Sequence, residues 1–203
     1  PETGKPSIRK AELTVEDERR VYEYCDQRRA DSKRGQQWWL FKQFIMWQID
    51  TGMRKCETLL IDLDRVRHNI VQIRVSKNGE GRDVPLTSRL IKMVDIFRAM
   101  DHKGPLFAGL TFGKIQEMWD ECRRALDLGD LVIHDLRHTR GQRLCDAGVP
   151  LEVVSELLGH KDIGVTGRVY TIRKTAALQQ WAKFAEENPD AALTGEFQLK
   201  VVS

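Results

Sequence analysis

The sequence lacks any apolar run long enough to cross a bilayer, because its most hydrophobic stretch, WWLFKQFIMWQID, is interrupted by Lys42 and Gln43. The opening PETGKPSIRK contains neither the apolar segment of a secretory signal peptide nor an initiator methionine. We therefore expect a cytoplasmic domain, without a membrane helix, that has been cut from a longer chain.

Paired cysteines are also missing. The chain has four cysteines, none in a Cys-x-x-Cys pair: Cys25, Cys56, Cys122 and Cys145. This scatter argues against a disulfide framework and a zinc ribbon, and it predicts reduced thiols. His134-Asp135 could begin a metal site, but five histidines leave few further ligands. We expect no metal and no other cofactor.

Strong charge of one sign is absent as well. A net charge of +3 permits a polyanionic partner without requiring one. With 41% hydrophobic and 31% charged residues, no internal repeat and no low-complexity tract, the 203 residues fit one globular domain.

Hydrophobic spacing predicts an α+β domain that is mostly α-helical, with a small antiparallel hairpin. Thr14-x-x-Asp17 resembles a capping box and starts a helix to about Arg29. The turn-forming SKNGEG joins two strand-like segments. These two strands are predicted at 70–75 and 82–86. Further helices are predicted at 37–50, 88–100, 112–126, 135–146, 150–158 and 173–187.

Several polar residues stand at places where chemistry is possible. In IHDLRHT, His134 and Arg137 share one face of a helix start, where an anion is favoured. Arg54 follows the glycine that ends a hydrophobic helix, and Lys77 lies at the hairpin tip. Each of these residues, taken alone, fits an ordinary solvated surface equally well.

The order of these residues carries more information than any one of them. Arg54, Lys77, His134-x-x-Arg137, Leu-Gly-His160 and Tyr170 together resemble the signature of the tyrosine recombinases, the phage-integrase family. The segments TGMRKCE, SKNGEGRDVPL, HDLRHT and ELLGHKDI each resemble one motif of that family, and the resemblance covers about residues 14–172.

The resemblance implies site-specific DNA cleavage and rejoining through a covalent 3′-phosphotyrosine. Arg54, Arg137 and His160 would bind the phosphate, and Tyr170 would attack it. His134 would accept or orient the tyrosine proton, since an imidazole suits either task. The resemblance gives Lys77 the protonation of the leaving 5′-hydroxyl.

The sequence departs from the family pattern in three places. His160 and Tyr170 are ten positions apart (170 − 160), one more than is usual, and no histidine follows the tyrosine. Where the family commonly carries an acid after its first arginine, this chain has Arg65, although Asp62 and Asp64 are close. The other two tyrosines, at positions 22 and 24, lie on the first predicted helix, away from every motif.

The resemblance also suggests how the chain is divided. Residues 1–12 would be a linker from an N-terminal DNA-binding domain, 13–188 the catalytic domain, and 189–203 a tail. In the tail, FQLKVV alternates like an edge strand and would dock in cis or in trans, or remain a frayed end.

The implied partner is double-stranded DNA that carries recombination sites, in a bacterium or a phage-infected cell. We expect a monomer that forms a homotetramer on DNA, with accessory DNA-bending proteins as possible helpers. The candidate DNA contacts, each of which could equally be a solvated side chain, are Lys33, Arg34, Arg82, Arg140, Arg143 and Lys161.

Two other functions use similar residues. A type IB topoisomerase nicks and reseals one strand with a comparable set of side chains. A non-catalytic DNA-binding regulator could share the fold, but such a protein has no use for Tyr170.

Overall fold

The computed structural model describes residues 12–74 and 81–159. The elements in chain order are α1 (Val15–Asp31), α2 (Gly35–Thr51), α3 (Lys55–Leu59), a 3-10 turn (Leu63–Arg65), β1 (Val66–Arg67), β2 (Ile70–Ile73), β3 (Arg82–Pro85), α4 (Ser88–Ala99), α5 (Phe112–Ala125), α6 (Ile133–Asp146) and α7 (Leu151–Leu158).

Helix α2 lies at the centre of the core, because its sequence is apolar on nearly every side. Helices α1, α4, α5 and α6 surround it. Phe44 and Trp47 are fully buried, and the ring of Phe107 contacts both edge-on, at centroid distances of 5.5 and 6.0 Å. Helix α2 is therefore a rigid support for whatever follows its end.

The sheet is antiparallel with the strand order β1-β2-β3. Val71 pairs with Val66 on one side and with Val84 on the other, and all three valines are buried. At the end of the hairpin next to its connecting segment, Ile73 pairs with Arg82, the first residue of β3. In the sequence, Lys77 lies between these two residues.

Hydrogen bonds to side chains of α6 attach the N-terminal end of the described chain to the core. Leu13 is fully buried; its N–H donates to Thr139 Oγ1 (3.0 Å), and its carbonyl accepts from Arg143 Nη2 (3.2 Å). Arg143 also pairs with the buried Glu18 (2.5 Å), which accepts from Arg89 as well (2.8 Å). The chain ahead of α1 is thus held on α6.

The structure confirms the predicted fold class. The six predicted helices that fall within the described residues are all present, and their ends agree to within about two residues. The short helix α3, the 3-10 turn and strand β1 were not predicted. The predicted helix at 173–187 and the tail at 189–203 lie outside the described residues. No helix in the described part is long and apolar enough to cross a membrane.

Candidate active site

The first candidate residue, Arg54, is positioned by the end of α2. Gly52 caps the helix in the left-handed conformation (φ 63°), and its N–H donates to Gln48 O (3.0 Å). The following Met53 is fully buried, with its sulfur 3.3 Å from Trp47 Nε1. Because Gly52 and Met53 are both fixed, the backbone of Arg54, the residue just before α3, has a defined position.

Arg54 is held by a carboxylate three positions further on. Its Nη1 donates to Glu57 Oε1 (2.9 Å), and its backbone N–H donates to Glu57 Oε2 (2.9 Å). Its Nη2 donates to the carbonyl of Gly159 (2.9 Å), the residue before His160 in the sequence. The Arg54 side chain keeps 31% of its surface exposed, so the guanidinium remains accessible to an anion.

Glu57 also binds a second arginine, Arg82, at distances of 3.1 and 2.7 Å from its two oxygens. Burial raises the pKa of Glu57, but hydrogen bonds from Arg82 and Arg54 outweigh this effect, and the pKa ends below its ordinary value. Sequence analysis missed Glu57. An available signal was its place at the third position of a helix that starts just after Arg54, where a glutamate commonly caps the backbone.

Arg137 approaches the same turn from α6. Its side chain is buried, and its Nη1 donates to the carbonyl of Gly52 (2.8 Å). The start of α6 is capped by Asp135, which accepts from the N–H of Val132 (2.7 Å). The guanidinium of Arg137 therefore binds a backbone carbonyl only two residues before Arg54, although the two arginines are far apart in the sequence.

His134 stands on the exposed side of α6, next to His138. The two rings meet edge-to-face at 5.0 Å. Burial lowers the pKa of His134 below its ordinary value, as do the charges of His138, Arg137 and Arg54, while Asp135 acts in the opposite sense. His134 and Arg137 lie three positions apart on α6, so their side chains share one face of this helix.

The candidate DNA contacts differ in how firmly they are held. Lys33 is exposed in the turn before α2, and Arg34 pairs with Glu117 (2.7 Å). Arg140 is half-buried beside Gly52, burial lowers its pKa, and it makes no hydrogen bond or ion pair to another described residue. Arg143 pairs with Glu18, as described above, and Arg82 with Glu57.

Four predicted site residues, Lys77, His160, Lys161 and Tyr170, lie outside the described residues. The remaining tyrosines are both on α1. Tyr22 donates to Glu18 (2.8 Å) and Tyr24 to Glu121 (3.1 Å). Burial and the neighbouring glutamates raise the pKa of both phenols, that of Tyr24 to about 12. In the described ranges, no group of three or more His, Cys, Asp or Glu side chains could hold a metal ion.

Comparison with known proteins shows the family to which the chain belongs. The model of the phage integrase family matches residues 12–176, which is most of the chain. The chain belongs to the phage integrase family. The catalytic domain of bacteriophage HP1 integrase has a similar fold, with a TM-score of 0.63 and 22% identity over 88% of this chain and 98% of that chain.

Two relatives show how much of a longer protein this chain represents. It is 32% identical to a XerC-like tyrosine recombinase of Caldanaerobacter subterraneus subsp. tengcongensis, over 53% of this chain and 32% of that protein. It is 26% identical to the shufflon-specific DNA recombinase of Escherichia coli, over 83% of this chain and 43% of that protein. The chain thus spans less than half the length of these relatives.

Proposed function

We propose that this phage integrase family chain is the catalytic domain of a site-specific DNA recombinase. The observation that carries the proposal is that the guanidinium of Arg137 binds the carbonyl of Gly52, two residues before Arg54, while His134 lies three positions before Arg137 on α6. Two guanidiniums can bind the non-bridging oxygens of one phosphodiester and stay charged at every relevant pH. Such a site stabilises the negative charge that grows on these oxygens during attack.

The proposed reaction exchanges one phosphodiester for another. The Tyr170 hydroxyl oxygen attacks phosphorus, and its proton passes toward His134. The bond from phosphorus to the 5′-oxygen breaks, and that oxygen takes a proton from Lys77. The product is a 3′-phosphotyrosyl link with a free 5′-hydroxyl, and the reverse attack by a 5′-hydroxyl reseals DNA without ATP.

The lowered pKa of His134 supports its part in this scheme. A neutral imidazole accepts a proton, and the described environment favours the neutral form at physiological pH. The two tyrosines of α1 are bound to glutamates and have raised pKa values, so they are poor nucleophiles. This supports the assignment of the nucleophile to Tyr170.

We further propose double-stranded DNA as the partner, with a homotetramer assembled on two recombination sites and a monomer in its absence. Phosphate contacts would come from Lys33, Arg34, Arg140, Arg143 and Lys161. Arg34 and Arg143 already bind glutamates, so a phosphate would compete for them. The isolated chain should therefore bind DNA weakly and with a strong dependence on salt.

The deciding experiment incubates the protein with a nicked suicide substrate and looks for a covalent protein–DNA adduct. Tyr170→Phe should abolish the adduct and leave DNA affinity and the melting temperature nearly unchanged, because only a hydroxyl is lost. An adduct that still forms in the Phe variant would assign the nucleophile to another residue.

A second assay separates recombination from topoisomerase activity. The proposal predicts joining of two duplexes that carry paired sites. Efficient relaxation of supercoiled DNA of any sequence, without recombination, would favour the topoisomerase alternative.

A further inference from the structure

Arg82 lies where three parts of the candidate site meet. It is the first residue of β3, opposite Ile73, and these two residues flank the stretch of sequence that contains Lys77. Its side chain is only 8% exposed, and all three guanidinium nitrogens donate. Nη1 and Nη2 bind the carboxylate of Glu57, and Nε donates to the carbonyl of Leu157 on α7 (3.0 Å).

The charges at this junction do not cancel. Two guanidiniums, those of Arg54 and Arg82, share the single carboxylate of Glu57, so the group carries one net positive charge. Without Arg82, Arg54 and Glu57 would form a neutral pair, which attracts a phosphate less strongly. Arg82 therefore leaves the charge of Arg54 available.

The same guanidinium also fixes the end of α7. Gly159 closes this helix in the left-handed conformation (φ 70°), and a Cβ at that position would lie 2.8 Å from Arg82 Nη1. The glycine of the Leu-Gly-His motif thus makes room for Arg82 as well as turning the chain. His160 is the next residue in the sequence.

We propose that Arg82 is a positioning residue rather than a DNA contact. It joins the base of the hairpin to Glu57 and to the end of α7, and it offsets the charge of Glu57 so that Arg54 can bind the scissile phosphate. The proposal rests on the proposed recombinase function. A DNA contact would need guanidinium nitrogens that donate to a phosphate, whereas all three nitrogens of Arg82 already donate within the protein, to Glu57 and to Leu157.

The first measurement separates positioning from DNA binding. In Arg82→Met, adduct formation at saturating DNA should slow roughly a hundredfold, as a small misplacement of reacting groups does. DNA affinity and its salt dependence should stay close to wild type. Arg82→Lys keeps a cation beside Glu57 and controls for misfolding of the Met variant. We expect adduct formation in Arg82→Lys to be faster than in Arg82→Met.

Arg123→Met is the matched control. Arg123 is also a partly buried arginine that donates to a backbone carbonyl, that of Gly129 (2.7 Å), but it lies on α5, outside the candidate site. The rate of adduct formation by Arg123→Met should equal that of wild type. A fall in DNA affinity of Arg82→Met, with a shallower salt dependence and a normal rate at saturating DNA, would make Arg82 a phosphate contact and overturn the proposal.

A modified substrate tests whether Arg82 acts through Arg54. Replacing one non-bridging oxygen of the scissile phosphate by a methyl group removes the negative charge that Arg54 would bind. On this neutral substrate the rate losses of Arg54→Met and Arg82→Met should shrink together. Equal losses of Arg82→Met on both substrates would instead mean a general structural defect and would contradict the proposal.

Hydrogen exchange gives a readout that needs no catalysis. The N–H of Gly159 donates to Glu156 O (2.9 Å) at the end of α7. Its exchange should speed up roughly tenfold in Arg82→Met and stay unchanged in Arg123→Met. If wild type forms no adduct, the proposed recombinase function is wrong, but the exchange rate of the Gly159 N–H still tests whether Arg82 fixes the end of α7. An unchanged exchange rate in Arg82→Met would refute that role.

Discussion

His134 has charged or titratable neighbours in Arg54, Arg137, Asp135 and His138, and its pKa lies below the ordinary 6.5. If it accepts the proton of the nucleophile, adduct formation should lose rate only at a pH below 6.5. His138→Gln removes one of the causes of the shift and should move this acid limb upward. The measurement is the pH dependence of single-turnover cleavage in both proteins; an acid limb that stays in place would exclude His134 as the titrating group.

The carboxylate of Glu57 makes a second prediction, about stability. Its pKa is lower in the folded chain than the ordinary 4.5, so the folded state binds fewer protons, and the stability gained above that pH is lost as pH falls below it. Glu57→Gln should cost about 3 kcal/mol near neutral pH, because two arginines lose their anion.

The cost of Glu57→Gln should then shrink as the pH falls below about 4.5, where wild type also becomes protonated. Urea unfolding of both proteins at neutral and acidic pH measures the difference. A difference that is independent of pH would show that Glu57 does not titrate as described.

At the scale of elements, the turn after α2 predicts an effect of one methyl group. A Cβ at Gly52 would lie 2.5 Å from Leu158 Cδ2 and 3.1 Å from Arg140 Cγ, in addition to the strain of φ 63°. Gly104 has a similar φ of 78° with nothing within 4 Å, so Gly104→Ala isolates the strain alone.

We expect Gly104→Ala to cost about 1 kcal/mol in the free energy of unfolding. Gly52→Ala should cost about 3 kcal/mol, because overpacking is added to the strain. Chemical denaturation of the two variants compares them directly. Equal losses would mean that the contacts of Gly52 with α6 and α7 relax without cost.

The long elements could be predicted because each has a repeated pattern: α1 has a capping threonine, α2 an apolar run closed by glycine, and the hairpin a turn-rich centre. Helix α3 and strand β1 are too short to show any period. Contacts with other elements stabilise such short elements. In α3, for example, Thr58 accepts a hydrogen bond from Gln48 Nε2 on α2 (2.5 Å).

The site was predictable in part for a similar reason. Family motifs named Arg54, His134 and Arg137, and in the structure Arg137 binds the carbonyl of Gly52, two residues before Arg54. The partners of Arg82 come from α3 and α7, remote in sequence, and no local pattern reports such a contact. Arg82 therefore looked like one more surface cation.

At the scale of the whole molecule, the positive charge of the site lies at the end of the buried helix α2, where Arg54 follows the helix and Arg137 binds the carbonyl of Gly52. Since Arg54 and Arg137 supply this charge, cleavage should persist in excess EDTA. Arg137→Lys should be poorly tolerated, because an ammonium cannot bind a phosphate and the carbonyl of Gly52 with one planar fork. Adduct yields with and without EDTA test this; activity lost with EDTA and restored by Mg²⁺ would contradict the arginine mechanism.

The attachment of Leu13 has a mechanical consequence. Its N–H and carbonyl are both bound by side chains of α6, Thr139 and Arg143, and its own side chain is fully buried. Tension on the polypeptide ahead of Leu13 is therefore borne first by α6, the helix that also holds His134 and Arg137. A pull from that direction loads the candidate catalytic residues directly, with no slack loop in between to absorb it.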